Sequence, residues 1–329
     1  MIRRPDKHTP LKVLGFTDTH IDDYPGCARV TIKLLEETIR SENPDLVVFV
    51  GDNVTGGDNL ERAREFARLM TRLNVSWAPT LGNHEGDNPA SVSRAEMLNI
   101  FRESPCCLVP DSAAMLSDGS PVWGVGNYSL PIYNAEGVMC HRLIFLDSGS
   151  DMTREDMIRF GWGDREKPFD DYLKPSQVAW YSELVRQATC PSTVFCHIPI
   201  PEFKTALEEG ELIYGCNLEN VCCSPHNSGM FEAMIEAGKT VAFVSGHDHI
   251  NSAHYMYRDI RLIYNRMSGM SSYTAVSTRH SDKLMQGCSV YYIHSDGHMT
   301  FDEIVYEDRY PQYRDEIYDV IRTPFRRQR

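Results

Sequence analysis

The chain has 329 residues, 42% hydrophobic and 24% charged, which is ordinary for a globular protein able to bury a sizeable core. Its formal net charge of −13 argues against a general binder of nucleic acid or anionic membrane, because such partners reward a basic surface. The N-terminal "MIRRPDKHTPLKVLGF" lacks an apolar stretch of signal-peptide length and no apolar run reaches membrane-spanning length, so a cytoplasmic location is expected.

Strand and helix signals alternate from the start. "LKVLGF" (11–16) reads as a strand, and residues 27–41 show helical periodicity with Val30, Leu34, Leu35 and Ile39 on one face, stopping before Pro44. "LVVFV" (46–50) is a continuous apolar run of buried-strand type, 60–73 reads as a helix and 75–81 as a third strand. Strand–helix–strand–helix–strand implies parallel pairing through crossover helices. Residues 104–142 are rich in Pro, Gly and Ser and read as loop. A strand comes next at 142–147, a helix at 175–188 with Pro175 near its start, and a strand at 192–196. Residues 202–227 read as irregular, then come a helix at 228–237 and a strand at 240–244. Short strands at 254–258, 260–264, 288–294 and 299–306 suggest an antiparallel set, and the basic tail "RTPFRRQR" is expected to be exposed. The ten cysteines, including the pairs Cys106-Cys107 and Cys222-Cys223, show no CxxC repeat and read as free thiols. With no internal repeat or linker, one domain over 1–329 is expected, its core motifs within 12–250 and the antiparallel strands and tail within 252–329.

The residues just past the end of each core strand carry the chemistry. Asp18 and His20 come after the first strand, Asp52 after the second, Asn83 and His84 after the third, His197 after "STVFC", and His247 and His249 after "TVAFV". Ligands of open α/β sheets bind beyond the carboxyl ends of strands, and five apolar strands ending in Asp, Asn or His is hard to attribute to chance. Gly51, Gly82 and Gly246 precede three of these groups, where a sharp exit and close backbone approach would suit a site. His247 and His249, two residues apart, can share a metal site or be polar turn residues.

The ordered set Asp18-x-His20, Gly51-Asp52, Gly82-Asn83-His84-Glu85, His197 and Gly246-His247-x-His249 resembles the calcineurin-like metallophosphoesterases. The segments 196–203 and 227–251 resemble their purple acid phosphatase-like branch, with Thr55 standing where purple acid phosphatases carry a metal-binding tyrosine and His20 present instead. The resemblance implies a four-layer α/β/β/α sandwich of two packed mixed sheets, with the metal site at the C-terminal strand ends. It implies two metals, one held by Asp18, His20, Asp52 and His249, the other by Asp52, Asn83, His197 and His247, with Asp52 bridging through its two oxygens. Mixed oxygen and imidazole ligation suits Mn, Fe or Zn. The implied reaction is hydrolysis of a phosphomonoester or phosphodiester by in-line attack of a metal-bridging hydroxide, with His84 near the leaving group. His84 could alternatively bond Glu85 or Asp18 and support the ligands.

The expected substrate is a phosphorylated small molecule or phosphoprotein, with neither nucleic acid nor membrane as partner. A phosphodiesterase acting on nucleotides or lipid headgroups is the alternative, and a catalytically silent metal-binding scaffold the further one. Substrate choice is expected in 104–142, 148–174 and 202–227, where Arg159, Trp162 and Arg165 could meet phosphate or pack ordinarily. Asp248 could orient a ligand histidine or face solvent, and His226 could line the site. His8, His141, His254, His280, His294 and His298 match no motif, and Asn127, Tyr128 and Asp147 receive no chemistry.

Overall fold

A computed structural model describes residues 2–163 and 165–322. The basic tail foreseen at the C-terminus lies, beyond Arg322, outside the described residues. The N-terminal half runs β1 (Leu11–Phe16), α1 (Pro25–Glu42), β2 (Leu46–Val50), α2 (Leu60–Leu73), β3 (Trp77–Thr80), α3 (Arg94–Arg102), β4 (Tyr128–Tyr133) and β5 (Met139–Leu146). Then come α4 (Arg154–Arg159), α5 (Pro175–Arg186), β6 (Ser192–Cys196), α6 (Glu202–Glu209), β7 (Glu211–Tyr214), α7 (Met230–Ala237) and β8 (Thr240–Ser245). The chain ends with β9 (His254–Tyr257), β10 (Ile260–Tyr264), β11 (Gly287–Ile293), β12 (Met299–Val305), α8 (Tyr306–Arg309) and α9 (Arg314–Arg322).

These strands form two mixed sheets, ordered β12-β11-β1-β2-β3 and β4-β5-β6-β8-β10-β9-β7. Period-two alternation explains how they pack. In β5, Leu143 and Phe145 enter the core shared with the first sheet, while Ile144 and Leu146 face Tyr181, Val185, Phe203 and Met230 of the helices behind. Phe195 of β6 meets Tyr291 of β11 edge-on at 5.9 Å, tying one sheet to the other. On the far side of the first sheet, α1 buries Val30, Leu34, Leu35 and Ile39, the face its periodicity predicts. Helix, sheet, sheet, helix is the expected four-layer order.

Several local expectations are corrected. The third strand is shorter than 75–81, spanning Trp77–Thr80. Residues 104–142 hold β4 and the start of β5, and 202–227 hold α6 and β7. The strand β7 is exposed at every position, so its burial pattern carries no alternation to read. The four C-terminal strands are not one antiparallel set. β9 and β10 join the second sheet, where β10 runs parallel to β8, whereas β11 and β12 join the first against β1. All ten cysteines are free, most of them buried, as expected. Among the described residues no helix is long and apolar enough to cross a membrane.

Candidate metal centre

The strand-end motifs converge at the seam between the two sheets, at the carboxyl ends of β1, β2 and β3 on one side and β6 and β8 on the other. The exits after β1 and β2 zip together: Asp18 N–H donates to Gly51 O at 3.0 Å and His20 N–H to Asp52 O at 2.9 Å. Four site residues sit in the left-handed backbone region, Asp18 (φ 50°), His20 (φ 40°), Asp52 (φ 50°) and His247 (φ 74°). Such conformations are uncommon outside glycine and concentrate at functional sites. Gly51 has φ 88°, and a Cβ there would stand 2.5 Å from the His197 ring. A Cβ at Gly82 would collide with Asp52 Oδ1, so both residues must be glycine for the loops to meet.

Each site carboxylate has one oxygen tied down and one left bare. Asp18 Oδ2 accepts from Thr17 Oγ1 at 2.8 Å and from His247 N–H at 3.0 Å, and Asp52 Oδ1 accepts from His84 N–H at 2.9 Å. Asp18 Oδ1 and Asp52 Oδ2 are buried without a hydrogen-bond partner. The imidazoles are oriented the same way. His197 Nδ1–H donates to Val50 O at 2.7 Å, His249 Nδ1 meets Ser272 Oγ at 2.8 Å, and His20 Nδ1 lies 3.5 Å from Thr55 Oγ1. Their Nε2 atoms therefore face the bare oxygens: Asp18 Oδ1 is 3.3 Å from His249, and Asp52 Oδ2 is 3.3 Å from His197 and 3.6 Å from His20. Asn83 Oδ1 stands 3.1 Å from His197 Nε2. Asp18, His20, Asp52 and His249 offer ligand atoms all within 4.8 Å of one another, so this buried cluster could hold a metal ion.

The electrostatics agree. Burial pushes the Asp18 and Asp52 carboxyls up, but His197 foremost, with His249 at Asp18 and His20 at Asp52, holds both below the usual carboxylate range. Burial pushes His197 down, yet Asp52 and then Asp18 outweigh it and lift its pKa to about 10. The pocket thus demands positive charge at the point where the bare oxygens and nitrogens meet. Buried unpaired carboxylate oxygens, ring nitrogens fixed through their far side and this demand for charge together fit a metal centre.

The comparisons bear on what such a centre is for. The family model for calcineurin-like phosphoesterases matches residues 11–251. The chain belongs to that family. It is 31% identical over 290 residues to the Arabidopsis thaliana protein named "Probable inactive purple acid phosphatase 14", covering 79% of this chain and 67% of that one. It is 28% identical over 245 residues to "Probable inactive purple acid phosphatase 28" of the same plant, covering 67% and 57%. The chain thus spans between about half and two thirds of these relatives' length. In fold it matches the crystal structure of a dimetal phosphatase from Danio rerio, with a TM-score of 0.60 at 14% identity, covering 89% of this chain and 96% of that one.

Within this calcineurin-like site some expectations shift. Only one oxygen of Asp52, Oδ2, faces both His20 and His197, because Oδ1 is held by the His84 backbone. Sharing would therefore run through one atom, not two. His84 bonds neither Glu85 nor Asp18; its Nδ1 lies 2.6 Å from Asp87 Oδ2 with the side chain 46% exposed. Burial lowers its pKa, but Asp52 and the Asp87 hydrogen bond leave it raised overall. Asp248 neither orients a histidine nor faces solvent; it is buried and accepts from Tyr264 Oη and at 3.2 Å from Cys222 N–H. His226 stacks on Phe160 at 3.8 Å, beside Trp162 and Tyr172, while Arg165 lies over Phe169. Residues 106–108 flank the start of β3, the end away from the metal centre. His141 and His254 are core residues. Asp147 pairs with Arg94, and Asn127 Oδ1 accepts from Gln177 at 2.8 Å.

Two residues carry more than the motif alone reveals. Glu85, fully buried, accepts from Gly82 N–H at 2.7 Å, Asp52 N–H at 3.2 Å and Asn53 through both N–H at 2.5 Å and Nδ2 at 2.9 Å. It binds the loop after β2 to the loop after β3, and an acidic residue two positions after Asn83 was the only signal of that. Asp170, from the segment after β5, lies 3.6 Å from His247 Nε2 and had no signal.

Proposed function

We propose that this protein is a dinuclear phosphoester hydrolase in which Asp18, His20, Asp52 and His249 hold one transition-metal ion and Asp52, Asn83, His197 and His247 hold the other. The observation that carries this reading is the pair of bare buried oxygens, Asp18 Oδ1 and Asp52 Oδ2, set among the Nε2 atoms of three histidines. Two cations held by these residues would acidify a water and offset charge on phosphoryl oxygens. The donor set, oxygen with imidazole, suits Mn, Fe or Zn. Thr55 beside His20 supports a centre without a tyrosinate ligand.

The chain's own residues supply position and a proton. Asp52 Oδ2, which faces both His20 and His197, is the oxygen that would serve both half-sites, with its carboxylate fixed by the His84 backbone. His84 and His20 line a cavity of about 420 Å³ together with Asp22, Asp23, Asp87 and Asn88. With Nδ1 engaged by Asp87, His84 has Nε2 available to donate a proton to the leaving alcohol. The acidic lining favours a neutral or cationic leaving group, in keeping with a phosphorylated small molecule or phosphoprotein rather than nucleic acid or an anionic lipid surface. The relatives' names include the word inactive, but here every ligand position and His84 are filled, which supports hydrolysis over a silent scaffold.

The test combines metal analysis with paired assays on an alkyl phosphate, an aryl phosphate and a diester. The purified protein should carry about two transition-metal ions per chain. Asp52→Ala should deplete both. His84→Ala should keep both and lose about 10²–10⁴-fold in rate, more on the alkyl ester, whose leaving group needs the proton. Full metal content with no hydrolysis of any ester would establish the silent scaffold instead.

A further inference from the structure

The two half-sites differ in charge. One has Asp18 in addition to the shared Asp52, whereas the other has only the shared oxygen, a neutral amide and two imidazoles. The segment after β5 brings a carboxylate to the poorer side. Asp151 and Asp170 form an antiparallel bridge, closed by Met152 N–H donating to Phe169 O at 2.8 Å and Asp171 N–H to Ser150 O at 3.0 Å. Lys174 Nζ holds the neighbouring Asp171 at 2.6 Å. The backbone that carries Asp170 is braced on both sides, and it sets Asp170 Oδ1 3.6 Å from His247 Nε2.

That separation is compatible with a shared ion. Two donors each about 2.0–2.2 Å from one metal lie roughly 2.8–3.6 Å apart, from right-angle to tetrahedral arrangements. The motif residues span the same range: 3.1 Å for Asn83–His197, 3.3 Å for Asp18–His249 and 3.6 Å for Asp52–His20. We infer that Asp170 is an additional ligand of the ion held by Asn83, His197 and His247. The inference rests on the two-metal reading and adds to it an anionic oxygen donor from outside the motifs. A hard carboxylate there shifts that position towards Mn or Fe and away from Zn.

The experiment is Mn(II) titration of the full chain after chelation, by calorimetry and by electron paramagnetic resonance of the coupled Mn pair. The wild type should bind two ions. Asp170→Asn, which keeps the shape and removes the charge, should weaken one site by at least about tenfold, leave the other, and lose the coupled-pair signal at limiting Mn. Asp170→Glu should recover part of the affinity. Asp151→Asn, which alters the bridge partner, should leave both affinities within about twofold, and metal-free melting curves of all variants check folding. Unchanged or tighter binding in Asp170→Asn would show that Asp170 only pairs with His247, and the inference falls alone. A wild type that binds no second ion would sink the two-metal reading, and the inference with it.

Discussion

The two half-sites of the proposed centre are built differently. Asp18, His20, Asp52 and His249 are all buried, their donor atoms converge, and they come from short turns directly after β1, β2 and β8. Asn83 and His247 are only half-buried, and Asp170 approaches His247 from a long loop. Closed sites hold metal firmly, while sites with an open side exchange ligands and admit substrate. On the proposed reading, the first half is the anchor and the second is where substrate and loop meet.

Removing one imidazole from each half should break the symmetry most visibly. His249→Ala removes the imidazole nearest the bare Asp18 oxygen, 3.3 Å away, and its half-site should lose about 10²–10³-fold in affinity. His247→Ala should lose roughly tenfold less, about 1.4 kcal/mol, because that half is more open and Asp170 remains. Metal titrations of the two variants check the order; equal losses would mean the halves are equivalent. A middle-sized effect should come from Glu85→Gln, which turns an amide N–H₂ towards backbone N–H donors. It should destabilise the fold by about 1–3 kcal/mol and loosen both halves together, since Glu85 spans the loops that carry Asp52 and Asn83. Chemical denaturation and metal content measure the two consequences, and an effect confined to one half would contradict the bridging role.

A separate effect belongs to neither half and must be isolated before acid sensitivity is assigned to either. His141 is fully buried, with Nδ1–H donating to Gly297 O at 2.8 Å and Nε2 3.0 Å from Thr193 Oγ1, and burial lowers its pKa from 6.5 to about 4. Between those values the unfolded chain takes the proton more readily than the folded one. Stability present above pH 6.5 is therefore lost as the pH falls towards 4, by at most about 3 kcal/mol. His141→Gln should flatten that part of the unfolding-versus-pH curve, and an unchanged slope would place the sensitivity elsewhere.

Much of the architecture was legible because burial imprints period. β2 reads as a strand since every position is buried, and α1 since its apolar face recurs at helical spacing. The strand-end ligands were legible because short turns keep them adjacent to those strands. The helix α3 was missed although its signal is present: Ser93 and Glu96 form a capping box ahead of the buried Met97, Leu98 and Phe101. β7 and Asp170 were not legible. The first is an exposed edge, and the second owes its place to pairing with Asp151, nineteen positions earlier, which no local pattern encodes. The left-handed backbone at Asp18, His20, Asp52 and His247 is also invisible in residue type alone.

The bare Oδ2 of Asp52, placed between His20 and His197, has a thermodynamic consequence. If both ions draw on this one atom, their occupancies are linked: the first to arrive draws electron density from the donor that the second must also use. Loading then proceeds in two unequal steps, and over a range of scarce metal the dominant species is half-filled. A cell's supply of free transition metal would in that way act as a dial on the fraction of competent molecules, set by a single oxygen and the backbone N–H that keeps its twin out of play.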